Sequence, residues 1–120
     1  MLTKLTTLLS ALTALVHIII GGADSLQPTL AADLPLIAEA AMHACWHIIS
    51  ALLLWSIFVF WRGGKMALDF GLFWIVAALV FIYVGLVQGG VDGLMLSPQW
   101  TILGGTGILV VLNQLRGKQA

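Results

Sequence analysis

The chain has 120 residues, of which 61% are hydrophobic and only 8% charged, and its mean hydropathy is +1.09. Those values exclude an ordinary water-soluble domain, and the length leaves room for one membrane bundle and no second domain. Five basic residues balance five acidic ones, so no charged tail or patch is available to hold nucleic acid.

Four apolar runs follow in chain order, set against a hydrocarbon core of about 30 Å at about 1.5 Å per residue; the first and last are near the lower limit and are expected to extend a little into their flanks. The first, Leu5–Ile20, follows Lys4 and ends at Gly21, Gly22 and Ala23. That layout resembles a signal peptide, but Thr6, Thr7, Ser10, Thr13 and His17 make the run too polar for one, and it reads as a first membrane helix. The connection GGADSLQPTLAADLP has turn signals at both ends and helix formers between. It has the residues for a short interfacial helix capped by Asp24 or Ser25, and Pro35 can start the next helix. The second run, Leu36–Trp61, is longer than a bilayer needs and should tilt or project outward. Arg62-Gly63-Gly64-Lys65 is a tight turn whose glycines permit positive φ, making the second and third helices antiparallel neighbours. The third run, Ala67–Val87, carries Asp69 one turn after Lys65, within pairing distance. The connection QGGVDGLMLSPQ is glycine-rich and then apolar, with Leu94–Leu96 able to dip into the interface. The fourth run is Trp100–Leu115.

Every basic residue falls on one side of these runs: Lys4, Arg62, Lys65, Arg116 and Lys118. The connections 21–34 and 88–99 contain no Lys or Arg. The positive-inside rule therefore puts both termini in the cytoplasm and the two longer connections outside. The fold class expected is all-α, a four-transmembrane-helix bundle with both ends inside. Its helices span about 4–22, 34–62, 66–88 and 98–116. The setting is the inner membrane of a bacterial cell, with the lipid bilayer as first partner. Trp61 and Trp100 are placed at opposite surfaces as interfacial anchors. Ala40 and Ala44 in the second helix, and Gly104, Gly105 and Gly107 in the fourth, are small enough to serve as helix contacts.

Polar residues in the apolar runs carry whatever chemistry there is. Glu39, His43 and His47 recur every fourth residue, so they share one broad face, and Ser50 continues it. The first helix has its own stripe of Thr6, Ser10, Thr13 and His17. Lipid offers no hydrogen bonds, so the two stripes are expected to face each other as one polar seam. Its outer half gathers His17, Glu39, His43 and His47, and depth counted along the helices makes His17, Glu39 and His43 the set most able to meet. Imidazoles and a carboxylate suit a transition metal, and two histidines from different helices suit haem. A histidine and a carboxylate in low dielectric also suit proton movement. Against both stands mutual satisfaction of the polar groups, which would only fix helix rotation. Cys45 lacks a partner for an internal disulfide and reads as a small buried apolar residue.

No nucleotide motif and no nucleophile with a base is present, so the reading leans away from an enzyme. The leading expectation is an accessory or scaffold subunit that works by helix packing, as a homo-oligomer or in a larger membrane complex. A metal- or haem-binding protein using His17, Glu39, His43 and His47 comes second. A small proton-coupled transporter comes third, working as a dimer because four short helices enclose little space.

Overall fold

In the computed structural model, which describes residues 2–117, four helices follow one another through short connections. They are α1 (Leu2–Ala31), α2 (Leu36–Arg62), α3 (Lys65–Leu96) and α4 (Gln99–Gly117). The first three are long and apolar enough to cross a membrane. At 19 residues α4 reaches about 28 Å, but Gly104 to Gly107 and the pair Asn113 and Gln114 leave it less apolar than the others.

The connection between α1 and α2 is much shorter than expected. Instead of stopping near Gly22, α1 continues through a π-helical stretch, Val16–Leu26, into a last α-helical turn and a half, Gln27–Ala31. The Gln27 N–H reaches the Gly22 carbonyl, five residues back, so the wider helix absorbs the two glycines rather than ending at them. Neither Asp24 nor Ser25 caps this segment, since Leu26 precedes it in helical geometry without a side-chain bond. Pro28 falls in the first turn of the renewed α-helix, where its missing N–H matters least. The connection proper is Ala32–Pro35, after which Pro35 accepts from the N–H groups of Ala38 and Glu39.

Between α2 and α3 the turn is as tight as its glycines suggest, with φ of 72° at Gly63 and 81° at Gly64. The third helix also outruns its expected end. It breaks at Gly89 and Gly90, the latter at φ 59° and ψ −142°, and a further turn and a half runs on to Leu96. This piece folds back on its own helix. A side chain at Gly93 would run into the Gly85 carbonyl oxygen, and the Leu94 backbone lies against Gly85. Ser97 Oγ donates to the Gly93 carbonyl at 3.1 Å, and Trp100 Nε1 donates to Leu94 O at 3.3 Å, holding the fold-back to the start of α4.

In space the helices run α2, α1, α4, α3, with α1 packed between α2 and α4 and α4 clasped to α3. The clasp is made by small residues. A Cβ on Gly107 would sit 2.7 Å from Gly71 O, one on Gly71 would sit 2.9 Å from Val110 Cγ1, and Gly104 meets Ala78. Contact between α2 and α3 is slighter and includes Phe60 edge-on to Trp74 at 5.3 Å. The result is a flattened body of 56 × 28 × 21 Å.

Around a core that includes Val59, Phe60, Trp74 and Val110, the exterior is more apolar than that of a soluble protein. Buried positions include Thr6, Ser10, Thr13, Ser56 and Thr106, whereas Leu8, Leu36, Ile37 and Val87 are two-thirds exposed or more. An exterior of large apolar side chains around a partly hydroxylated interior is what an apolar solvent selects.

One end of the body collects the positive charge. Asn113 Nδ2 donates to Thr3 Oγ1 at 3.1 Å, and the Gly64 N–H donates to Gln114 Oε1 at 2.8 Å. These bonds bring the start of α1, the α2–α3 turn and the end of α4 together. Lys4, Arg62, Lys65 and Arg116 therefore share this turn end, while Lys118 lies outside the described residues. Lys65 and Asp69 pair at 2.9 Å there, as their spacing suggests, and the Arg62 guanidinium covers the Phe58 ring at 5.6 Å.

Candidate functional site

The polar stripe of α1 does turn inward, but it meets a different residue of α2 from those expected. Ser10 and Ser56 share a buried hydrogen bond of 2.6 Å between their hydroxyls. Ser56 Oγ also lies 2.6 Å from the Leu53 carbonyl. Thr6 and Thr13 bond carbonyls of their own helix, Thr6 at 3.1 Å to Leu2 and Thr13 at 2.7 Å to Leu9. Ser50 does likewise, donating to Trp46 O at 2.8 Å. The seam between α1 and α2 is thus a hydroxyl contact in the first third of α1.

Farther from the turn end, His17 lies on Trp46. The two rings stack at 4.2 Å with an interplanar angle of 17°. Gly21, one turn on, leaves space for the indole, since a Cβ there would come within 3.0 Å of it. The π-helical stretch begins at Val16, so His17 and Gly21 are presented by the widened part of α1. Burial of His17 Nε2 is complete and no hydrogen-bond partner reaches it.

His43 and His47 stand apart from this contact. Their rings are 4.8 Å from each other, tilted by 43°, and both residues are exposed. At about 100° per residue, Trp46 lies about 60° round the helix from His43 and about 100° from His47. The face that Trp46 turns to α1 is therefore not the face that carries the histidine pair. Glu39, half-buried, stands one turn nearer the far end. The expected meeting of His17, Glu39 and His43 gives way to two separate features, a stacked His17–Trp46 and an open His43–His47 pair. Among the described residues no three His, Cys, Asp or Glu side chains are placed to share one metal ion.

The same rotation explains a further difference. Ala40 and Ala44, expected at helix contacts, are exposed because α2 reaches α1 through Trp46 and Ser56. A Cβ on Gly105 would meet nothing within 4 Å, whereas its neighbours Gly104 and Gly107 face α3. Trp61 is 67% exposed at the turn end, where an anchor would stand. Trp100, at the far end, is half-buried against the core as well as bonded to Leu94. Cys45 is a free thiol on the surface of α2, not buried.

Ser56, Thr3, Asn113 and Gln114 are the polar partners that spacing missed. Ser56 is out of register with the Glu39–His43–His47–Ser50 stripe. Its signal was isolation, one hydroxyl in the run Leu-Leu-Leu-Trp-Ser-Ile-Phe-Val-Phe. The two bonds at the turn end join residues at least 50 positions apart, and no periodicity announces them.

Two shallow hollows mark the surface of the described residues. One lies between α2 and α3 and is lined by Leu52, Asp69, Phe70 and Phe73. The other lies at the break in α3 and is lined by Gln88, Gly89, Asp92, Gly93, Leu96 and Ser97. Both open widely to the surroundings, so neither encloses a small molecule. The chain matches no protein-family model, no curated protein and no solved structure.

Proposed function

We propose that this is a small multi-pass protein of a bacterial inner membrane that acts as a packing subunit, either with its own copies or in a larger membrane assembly. Four helices cross the bilayer with both termini on the cytoplasmic side, because the turn end gathers Lys4, Arg62, Lys65 and Arg116. The observation that carries the reading is the far half of α2. It rests on α1 along one side only, and it leaves His43, His47, Ala40 and Ala44 open.

Depth makes that exposure significant. Counting about 20 residues for the hydrocarbon core from Arg62 puts the far border near Met42. Glu39 then lies among headgroups, His43 at the border and His47 about 6 Å inside it. A polar side chain at that depth turns toward protein or a hydrated cavity, so another helix is required on this face. The surface area agrees. It is 7904 Å², against about 6,300 Å² for a compact monomer of this mass, leaving ample area to bury in contacts.

The test is the state of the full chain in lipid. Reconstituted in nanodiscs at low occupancy and crosslinked, or weighed by native mass spectrometry, it should be a dimer or larger. A monomer at every protein-to-lipid ratio, with no crosslink in its native membrane, would defeat the proposal. Sidedness is checked separately with single cysteines in a Cys45→Ser background. Asp24→Cys should react with an impermeant maleimide from outside the cell, and Met66→Cys only after the membrane is opened.

A further inference from the structure

We propose that His43 and His47 are half of a divalent transition-metal site at the far rim of α2, and that a second copy of this chain supplies the other half. This rests on the assembly reading above and names its partner. Two imidazoles on successive turns of one helix are a recognised bidentate ligand for such ions. Here both rings are exposed, and they lie 4.8 Å apart on the same flank of α2. One chain cannot complete a tetrahedral site, because no three potential ligands come together among its described residues.

A second copy can. Chains inserted with the same orientation carry His43 and His47 at the same depth, so a two-fold axis along the membrane normal brings four imidazoles to one level. The flank allows the approach. Ala40 and Ala44 border the histidine pair and are exposed, so two α2 helices can come close without large side chains between them. Charge agrees as well. Glu39 stands on the same broad face one turn toward the water, and two copies place two carboxylates beside a doubly charged ion. The ion enters from the outer aqueous side, since α2 overshoots the hydrocarbon core at this end.

The experiment uses the full chain in nanodiscs with Zn²⁺ as the only added ion. Cys45 is the one cysteine and is exposed, about 160° round the helix from each histidine, so a spin label there leaves the site untouched and removes a competing thiol. Calorimetric titration should give one Zn²⁺ per two chains. Pulsed dipolar spectroscopy should show a single intermolecular distance that sharpens with Zn²⁺ and broadens with chelator. His43→Ala should weaken binding at least tenfold, and the His43→Ala, His47→Ala double variant should abolish both responses; both side chains are exposed, so the fold is kept. One ion per chain, unchanged binding in the double variant, or no binding overturns the metal site. Association that is equal with and without Zn²⁺ and in the double variant overturns it too, while leaving the packing role in place. A monomer under all conditions overturns both.

Discussion

At the scale of single residues, the interior is held by a few contacts between small or hydroxylated groups. The Ser10–Ser56 bond is buried and joins α1 to α2. Hydrogen bonds of this kind between membrane helices average about 0.6 kcal/mol in double-mutant cycles. We predict that Ser10→Ala, Ser56→Ala and the double variant give a coupling energy of that order when unfolding is followed in mixed micelles; additive losses would show that the two hydroxyls do not act as a pair. Gly107 is the more demanding position. A methyl group there has the Gly71 carbonyl oxygen 2.7 Å away and the Ile75 N–H at 3.1 Å, so the helices must part. Gly107→Ala is expected to cost about 1–3 kcal/mol, as overpacking does. Gly105→Ala, which meets nothing within 4 Å, should be nearly silent in the same assay.

At the scale of elements, the expected outline and the observed one differ where the chain could stop a helix and does not. Apolar runs and the Gly63–Gly64 turn were legible because hydrophobic length and positive φ are local properties. The continuation of α1 past Gly22 was not, because a π-helical stretch keeps the backbone bonded where loop signals abound. Stripe rotation was legible only in part. Period alone put Thr6, Ser10 and Thr13 on one face, correctly buried, but which face of α2 meets them depends on where the Trp46 indole can stack. Spacing therefore grouped His17 with His43, and packing parted them. The break in α3 makes a second prediction at this scale. Gly90 holds φ 59° with ψ −142°, a region that other residues enter at a cost of about 1–3 kcal/mol. Gly90→Ala should loosen the fold-back, seen as faster amide exchange over Val91–Leu96, while exchange in the body of α3 stays unchanged.

At the scale of the whole molecule, the order α2, α1, α4, α3 leaves two unlike edges. Lipid or protein can cover the α3 edge, which is apolar, but the far part of the α2 edge carries the histidine pair. A two-fold contact through α2 closes at two copies, and larger assemblies would then need the α3 edge as well. The clasp between α3 and α4 has its own bearing on how the protein reaches this state. Leu68–Val87 is rich enough in apolar residues to partition by itself, whereas α4 interrupts its own apolar stretch with three glycines and two amides. On the proposed topology its entry into the bilayer during synthesis is a joint event, with α3 ahead of it in the chain and offering Gly71 as the seat for Gly107. Gly71→Leu leaves the sequence of α4 intact yet removes that seat. We predict that a compartment-sensitive reporter fused after residue 120 reads cytoplasmic in the parent chain and partly external in this variant. On that topology, one glycine decides which side of the bilayer the end of α4 reaches, about 45 residues further along the chain.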